Sequence, residues 1–469
     1  MRRLLELSSF QPFRYAGFGA LWTGALISNV GTWMSAVALG ITVTAQTGKA
    51  AWTGTVVALS FVPALVLSPV AGALADRFER RAYIGVLTAA QILVATCLAG
   101  LAFTGHLTVG WMALLAFLNG CAGTLSLPGF VALIAELVPP ESLHGALSLN
   151  SAQYNVGRVI GPALATVVFA VAGPAWAFAG NALSFGAVYW ALTRIPVRAR
   201  TSRKPHPPLW DGIREGFAVA RGDPGIRLAL ATVLAIAVLV APFIGLVPVF
   251  ALEVFHRGPE TASLFTTAQG VGAIAGAFTM APLVRRFGLR WTAVCATVAL
   301  GPCAAAYWLA PSPGTAAFCI SLLGAAYLAA LTSFNTIGQL RAPSDAHARV
   351  SGIHSMFLSG GYALGLVALG ALADRFGLRL LMVSSAVAYI VVTAIALATA
   401  SEGVMALEPH RFSAAPLALE EHPEEAVVLA EPGEPDLVTV PAVPRDRAAA
   451  GGVDRPALRA SALSGRSSD

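Results

Sequence analysis

Residues 72–81, GALADRFERR, set one carboxylate, Asp76, among three guanidiniums, Arg77, Arg80 and Arg81. A carboxylate so placed can accept charge-assisted hydrogen bonds from an arginine or from the N–H groups of a facing helix N-terminus. That is the chemistry of holding two elements together, not of making bonds. Residues 370–379, GALADRFGLR, repeat seven of these residues in the same order. A second constellation is Ser151, Asn155, Arg158 and Pro162, whose spacing of three and four residues puts them on one face of a helix. Arg158 lies deep in an apolar run, and no Asp or Glu sits at similar depth to pair with it. A bare guanidinium at that depth costs about 3 kcal/mol or more unless it meets water, a partner or a ligand. Arg158 is therefore expected to face an aqueous cavity, where it suits an anionic substrate or a hydrogen-bond network. The alternative is a residue bonded to helix carbonyls that sets packing.

The elements that carry these groups follow from composition. The chain has 469 residues, 56% hydrophobic and 12% charged, with mean hydropathy +0.71. A soluble domain carries roughly 25% charged residues. Apolar runs cover 16–45, 51–74, 82–104, 110–135, 146–172, 174–193, 226–252, 261–284, 291–310, 314–340, 350–372 and 380–400. Each is about as long as the ~20 residues that cross a bilayer core, and in lipid such runs must be helices. The expectation is an all-α membrane protein with 12 transmembrane helices. MRRLLELSSF at the N-terminus lacks the form of a secretory signal, because Glu6 and Ser8 interrupt its apolar part and no small-residue cleavage site follows. Cys97, Cys121, Cys295, Cys303 and Cys319 all lie inside spans, with no CxxC and no histidine at ligand spacing, so no metal and no disulfide is expected. No nucleotide-binding GxxxxGK[ST], catalytic triad or other cofactor motif is present. The chain does not read as an enzyme, and no cofactor is expected. The net charge of +6 follows from where the arginines sit and is not a nucleic-acid signal.

With the N-terminus inside, the cytoplasmic segments before the tail carry 19 Lys and Arg residues, and the outer loops only Lys49, Arg257, Arg375 and Arg379. This bias predicts cytoplasmic termini. It puts GALADRFERR inside and GALADRFGLR outside. Spans 1–6 and 7–12 flank one long loop, which suggests two six-helix pseudo-repeats. The predicted units are an N-terminal bundle (1–195), a cytoplasmic linker (196–224), a C-terminal bundle (225–400) and a tail (401–469). In this pairing 72–81 matches 281–290, APLVRRFGLR, where Arg286 and Arg290 align with Arg77 and Arg81, but Arg285 replaces the Asp. The copy at 370–379 matches the corner around Ala172–Pro174. In the linker, Trp210, Ile213 and Phe217 share a helical face, as in an amphipathic helix on the inner membrane surface; a plain linker is the alternative. The tail holds 12 acids and 6 arginines with few large apolar residues, which predicts disorder.

Asn29, Asn119, Gln153, Gln269, Asn335 and Gln339 are polar groups inside spans. Each can line a cavity or bond a neighbouring helix. His354 is a candidate for proton exchange because its ordinary pKa is near 6.5. Pro63 and Pro69 in span 2, and Pro242 and Pro248 in span 7, fit helices that bend in corresponding places.

Twelve spans, a central loop and Gly72-x-Leu74-Ala75-Asp76-Arg77-x-x-Arg80-Arg81 together resemble the major facilitator superfamily of secondary transporters. Glu79 stands where that family's motif usually has Gly. FRYAGFGALWTGALISNVGTWM (13–34), LNSAQYNVGRVIGPALA (149–165) and WDGIREGFAVARGDP (210–224) are similar to the branch that holds the enterobactin exporter and macrolide-efflux proteins. Thr32, where Asp is frequent, and Pro128-Gly129-Phe130, where P-A-R is frequent, depart from that branch. The resemblance implies alternating access between two bundles, with the 72–81 loop latching the outward-facing state. Gly157-x-x-x-Gly161-Pro162 is similar to the span-5 motif of antiporters. The expected activity is export of a small amphipathic molecule such as a drug, a siderophore or a secondary metabolite, with proton coupling implied by the resemblance; because no mid-membrane carboxylate is present, facilitated or substrate-coupled exchange stays open. Metabolite uptake by symport, or a membrane sensor acting through the tail, are the alternatives. The expected setting is the bacterial inner membrane. The expected partners are a small-molecule substrate, the lipid bilayer and the proton, with no nucleic acid, and the protein is expected to be a monomer.

Overall fold

In a computed structural model, residues 8–15, 17–195, 209–343, 346–399 and 407 are described. The predicted disordered tail, apart from Leu407, lies outside them. So do the side chains of Trp210 and Ile213 on the predicted amphipathic face.

The described residues form helices and connecting turns, with no strand. A short 3-10 stretch, Ser8–Arg14, leads into α1 (Phe18–Thr47), α2 (Ala50–Leu59), α3 (Val62–Arg77), α4 (Arg80–Phe103), α5 (Val109–Leu137), α6 (Pro140–Ala172) and α7 (Pro174–Arg194). α8 (Leu209–Gly222) follows and packs on the later helix His347–Phe376. Then come α9 (Pro224–Ala235), α10 (Phe243–Val249), α11 (Pro259–Leu309), α12 (Pro313–Arg341), α13 (His347–Phe376) and α14 (Leu378–Thr399). Among the described residues, nine helical segments are long and apolar enough to cross a membrane. Val171, Phe278 and Leu183 are 84%, 80% and 79% exposed. An apolar surface of this kind suits lipid and not water.

Local chemistry sets the joints. α2 and α3 form one predicted span broken at Ser60–Phe61, with Pro63 in the first turn of α3. Two π-helical stretches, Ile236–Val240 and Phe250–Val254, flank α10, with Pro242 just before it and Pro248 inside it. Pro63, Pro242 and Pro248 thus sit at or beside real irregularities, because each removes a backbone donor, whereas Pro69 lies within the unbroken α3. α11 runs 51 residues where two spans were expected, and its break is the single residue Gly288 at φ 81°. The same device joins α6 to α7 at Gly173 (φ 84°) and α13 to α14 at Gly377 (φ 85°). A side chain at such φ is strained, so glycine allows the chain to reverse within one residue. The corners at Gly173 and Gly377 are the pair that the sequence pairing matched.

One end of the bundle carries Arg77, Arg80, Arg81, Arg286, Arg290, Arg341 and Arg349 and is called the basic face below. The opposite end holds the α1–α2 and α13–α14 turns. Near that opposite end the second half builds an aromatic core around Phe250, whose ring lies 4.8 Å from Trp308, 5.0 Å from Tyr307 and 6.1 Å from Phe265. Such pairs add about 0.5–1.5 kcal/mol each beyond area burial, and they anchor the π-helical end of the α9–α10 segment.

Candidate functional site

Two cavities meet at Arg158. One, of about 310 Å³, lies between the halves, with α1 and α6 on one side and α10, α12 and α13 on the other. The second, of about 590 Å³, lies among α1, α4, α5, α6 and α7 toward the basic face. Arg158, Tyr154 and Leu328 line both.

Arg158 is 8% exposed. α6 delivers it from a face that packs tightly on α1. A Cβ added at Gly157 would come 2.8 Å from Asn29 Cβ, and one at Gly161 would come 2.7 Å from the Val30 carbonyl oxygen. The two glycines therefore set the depth at which the guanidinium enters the cavity. Its carbon lies 5.5 Å from the centroid of the Trp33 ring, a cation–π contact of about 0.5–2 kcal/mol. Its Nε has no hydrogen-bond partner. A buried donor left without a partner costs about 1–3 kcal/mol, more for a charged group. The arrangement can recover that cost when an acceptor enters. Among the described residues lining the two cavities, Arg158 is the only charged side chain. Apart from Thr266 and Ser359, the rest of the inter-half cavity is aromatic and aliphatic: Trp33 stands edge-on to Tyr154 at 5.9 Å, and Phe61 to Tyr362 at 4.9 Å. Tyr327 completes this wall.

The other predicted polar groups separate by what they touch. Asn29 donates to Gln153 Oε1 at 2.8 Å and to the Ala25 carbonyl at 3.0 Å, and Gln153 donates to Asn150 at 3.1 Å. This chain ties α1 to α6 at the rim of the larger cavity. Ser151 and Asn155 line that cavity, but they donate to carbonyls of their own helix, Leu147 at 3.1 Å and Ser151 at 2.8 Å. Asn119, Asn335, Gln339 and His354 line neither cavity. His354 is buried in α13.

At the basic face, Asp76 at the end of α3 pairs with Arg80 of α4 at 3.5 Å, and Arg80 also bonds Glu136. Arg81 donates to the Ile195 carbonyl at 2.8 Å and so ties the start of α4 to the end of α7. Arg77 is exposed, and a Cβ at Gly72 would meet open space. Glu79, the departure from the family motif, caps α4 by accepting from the N–H groups of Arg81 at 3.0 Å and Ala82 at 2.6 Å. A glycine there offers no side-chain oxygen for this bond. In the matching segment of α11, Arg286 stacks on Phe287 at 5.4 Å and Arg290 on Trp291 at 5.1 Å.

Several groups that matter here carry no sequence signal of their own. The aromatic wall belongs to them, since tyrosines and tryptophans are equally at home facing lipid. So does Asp223, which caps α9 through the Ile226 N–H at 2.8 Å and holds Arg341 at 2.7 and 2.8 Å. Glu215 of α8 pairs with Arg349 of α13 at 2.6 Å, and Phe217 stands 6.3 Å from Phe357. α8 is thus bound to the basic end of the second half, and its residue Phe217 packs toward α13.

The family described as transmembrane secretion effector matches residues 7–430. Macrolide efflux protein A of Streptococcus pyogenes is 24% identical over 270 residues, which cover 55% of this chain and 64% of that protein. The match thus spans just under two thirds of that relative's length. Multidrug efflux pump Tap of Mycolicibacterium fortuitum is 25% identical over 371 residues, covering 76% of this chain and 88% of the pump. Among solved structures, a bacterial homologue of the human lysosomal transporter Spinster shares the fold at TM-score 0.66 and 15% identity, covering 84% of this chain and 98% of that one. With a bundle of membrane-length helices around a buried inter-half cavity, and a family match over most of its length, the chain belongs to the transmembrane secretion effector family, a branch of the major facilitator superfamily of membrane transporters.

Proposed function

We propose that this protein exports a small amphipathic molecule that carries an anionic or strongly accepting group. The observation that carries this reading is Arg158, buried between the halves with an unpartnered Nε and no carboxylate among the described cavity walls. An acid's oxygens would satisfy the guanidinium, and its apolar body would fill the aromatic wall. A cation would meet Arg158 with no carboxylate to offset the repulsion. Both named relatives are efflux proteins, which favours outward transport over uptake.

In this reading the α11 helix counts as two crossings at Gly288, α6 and α7 as one each, and the chain crosses a bacterial inner membrane 12 times as a monomer. The arginine excess sets the basic face in the cytoplasm. The two bundles rock about the inter-half cavity, and Asp76 latches the cytoplasmic side when that side closes. A proton gradient supplies the drive. The test is transport by inside-out vesicles that contain the protein, energised with a pH gradient and offered matched acidic, neutral and basic amphipathic dyes. Accumulation of the acidic dye, lost when the gradient is collapsed, is the expected result. Release of the dye from the vesicles, or preference for the basic one, would overturn the reading.

A further inference from the structure

We propose that Asp374 is the latch of the face opposite the basic one, a gating residue that α13 lends to α2. In the orientation proposed above this is the outer face. The helix α2 begins without a cap of its own. Its N-cap position is Lys49, which has no acceptor in its side chain and makes no capping hydrogen bond. The first N–H groups of a helix have no partner within it and must find one outside. Here the partner comes from the other half of the molecule. Asp374 Oδ1 accepts from the Ala50 N–H at 2.7 Å, and Oδ2 accepts from the Ala51 N–H at 3.2 Å. One carboxylate so holds two successive backbone donors, more than 320 residues away in sequence, with its charge at the positive end of the α2 dipole.

The surroundings make this contact depend on closure. α2 and α13 meet backbone to backbone: a Cβ at Gly370 would come 2.8 Å from the Ala50 carbonyl oxygen. Deeper along the same seam Phe61 and Tyr362 close over the cavity. Separating α13 from α2 at this face would strip both N–H groups of their partner at once, and Lys49 offers no substitute. Arg379, five residues beyond Asp374, donates to the Ala310 carbonyl at 3.0 Å. This bond braces the corner at Gly377 from the second half's own side.

The two copies of GALADRF now have one physical meaning. Each ends a helix of the crossing pair formed by the α2–α3 segment and α13, one at each face. α13 also starts without a side-chain cap, since its N-cap residue is Ala346. In the described state Asp374 is docked on α2, while Asp76 pairs with Arg80.

The test reads geometry, so it does not depend on the export reading. In the full chain with its five cysteines replaced by alanine, spin labels are attached at Thr104→Cys and Gly314→Cys, exposed positions on the two halves at this face. Their separation is measured by pulsed electron resonance in lipid nanodiscs without substrate. Asp374→Asn keeps the size and one acceptor oxygen but loses the charge. It should move the ratio of open to closed populations at this face about tenfold toward open, the change expected for loss of one charge-assisted capping contact. Lys49→Ser supplies α2 with a cap of its own while Asp374 stays in place. It should shift the ratio in the same direction, because opening no longer leaves the N–H groups bare. Asp76→Asn should not open this face. If neither Asp374→Asn nor Lys49→Ser moves the distance distribution, the latch is overturned. A distribution that Asp76→Asn opens as far as Asp374→Asn overturns it as well.

Discussion

Replacing Arg158 by alanine should separate acidic from neutral cargo. Two unit charges 4 Å apart attract by about 4 kcal/mol at the effective dielectric of a protein cleft, before desolvation. Hydrogen bonds to charged groups contribute about 1.5–3 kcal/mol net. Arg158 is 8% exposed and its Nε is already without a partner, so little internal bonding is lost when it is removed. A loss of about 2 kcal/mol for an acidic substrate is expected, roughly a 30-fold rise in KM. A neutral substrate of the same shape should change less than about threefold, since it loses only contact with the side-chain stem. Arg158→Lys keeps the charge but not the planar fork and should recover part of the acidic transport. The assay is initial uptake by inside-out vesicles, with both substrates measured at equal protein content. Equal losses for acidic and neutral cargo would refute the anion reading and leave Arg158 as a packing residue against Trp33.

Four further outcomes are expected. Burial alone would raise the Asp223 carboxyl, but hydrogen bonds from Arg341 and from the Ile226 N–H outweigh it and hold the group below its ordinary range. A carboxyl held low gives stability that is complete above the ordinary carboxylate pKa and is lost as pH falls through the lowered one. Asp223→Asn should therefore flatten the acid side of the stability profile. Arg341→Ala should cost about 2 kcal/mol near neutral pH in reversible SDS unfolding, because it removes two charge-assisted hydrogen bonds to the partly buried Asp223; a cost below about 0.5 kcal/mol would show that water replaces the arginine. Asp76→Asn should abolish export while the protein still reaches the membrane, measured as vesicle transport against immunodetected protein; normal flux would remove its latch role. Glu79→Ala should cost about 1 kcal/mol through loss of the α4 cap, and Glu79→Asp should restore most of it in the same SDS titration.

Much of the architecture was legible because the bilayer imposes simple demands. Apolar runs near 20 residues must be helices in lipid, so composition alone gave the class, and the prolines of the α9–α10 segment marked true breaks. The capping chemistry of Glu79 was not read, because at that position only the departure from a family pattern was visible. Nor could the pattern show that Gly288 is the whole joint of α11.

Which residues line the path was harder. In water, a helix reveals its buried face by an apolar stripe. In a membrane the lipid-facing side is as apolar as the packed side, so the stripe vanishes. Hence Ser151 and Asn155 looked equivalent to Asn119, Asn335 and Gln339, although of these five only the first two line either cavity at Arg158. Arg158 was legible because a charge at that depth is too costly to face lipid. Trp33, Tyr154, Tyr327 and Tyr362 were not, because aromatics tolerate either side.

Composition and residue order were enough to read a helical membrane protein, with its charge bias, its paired GALADRF strings and one arginine that must find a polar setting. Folding added that Asp374 meets Ala50 and Ala51, that Asp223 meets Arg341, and that five aromatics line the cavity Arg158 enters. Those contacts join residues tens to hundreds of positions apart. They depend on how each helix is rotated, which the packing of neighbouring helices sets and hydropathy leaves open.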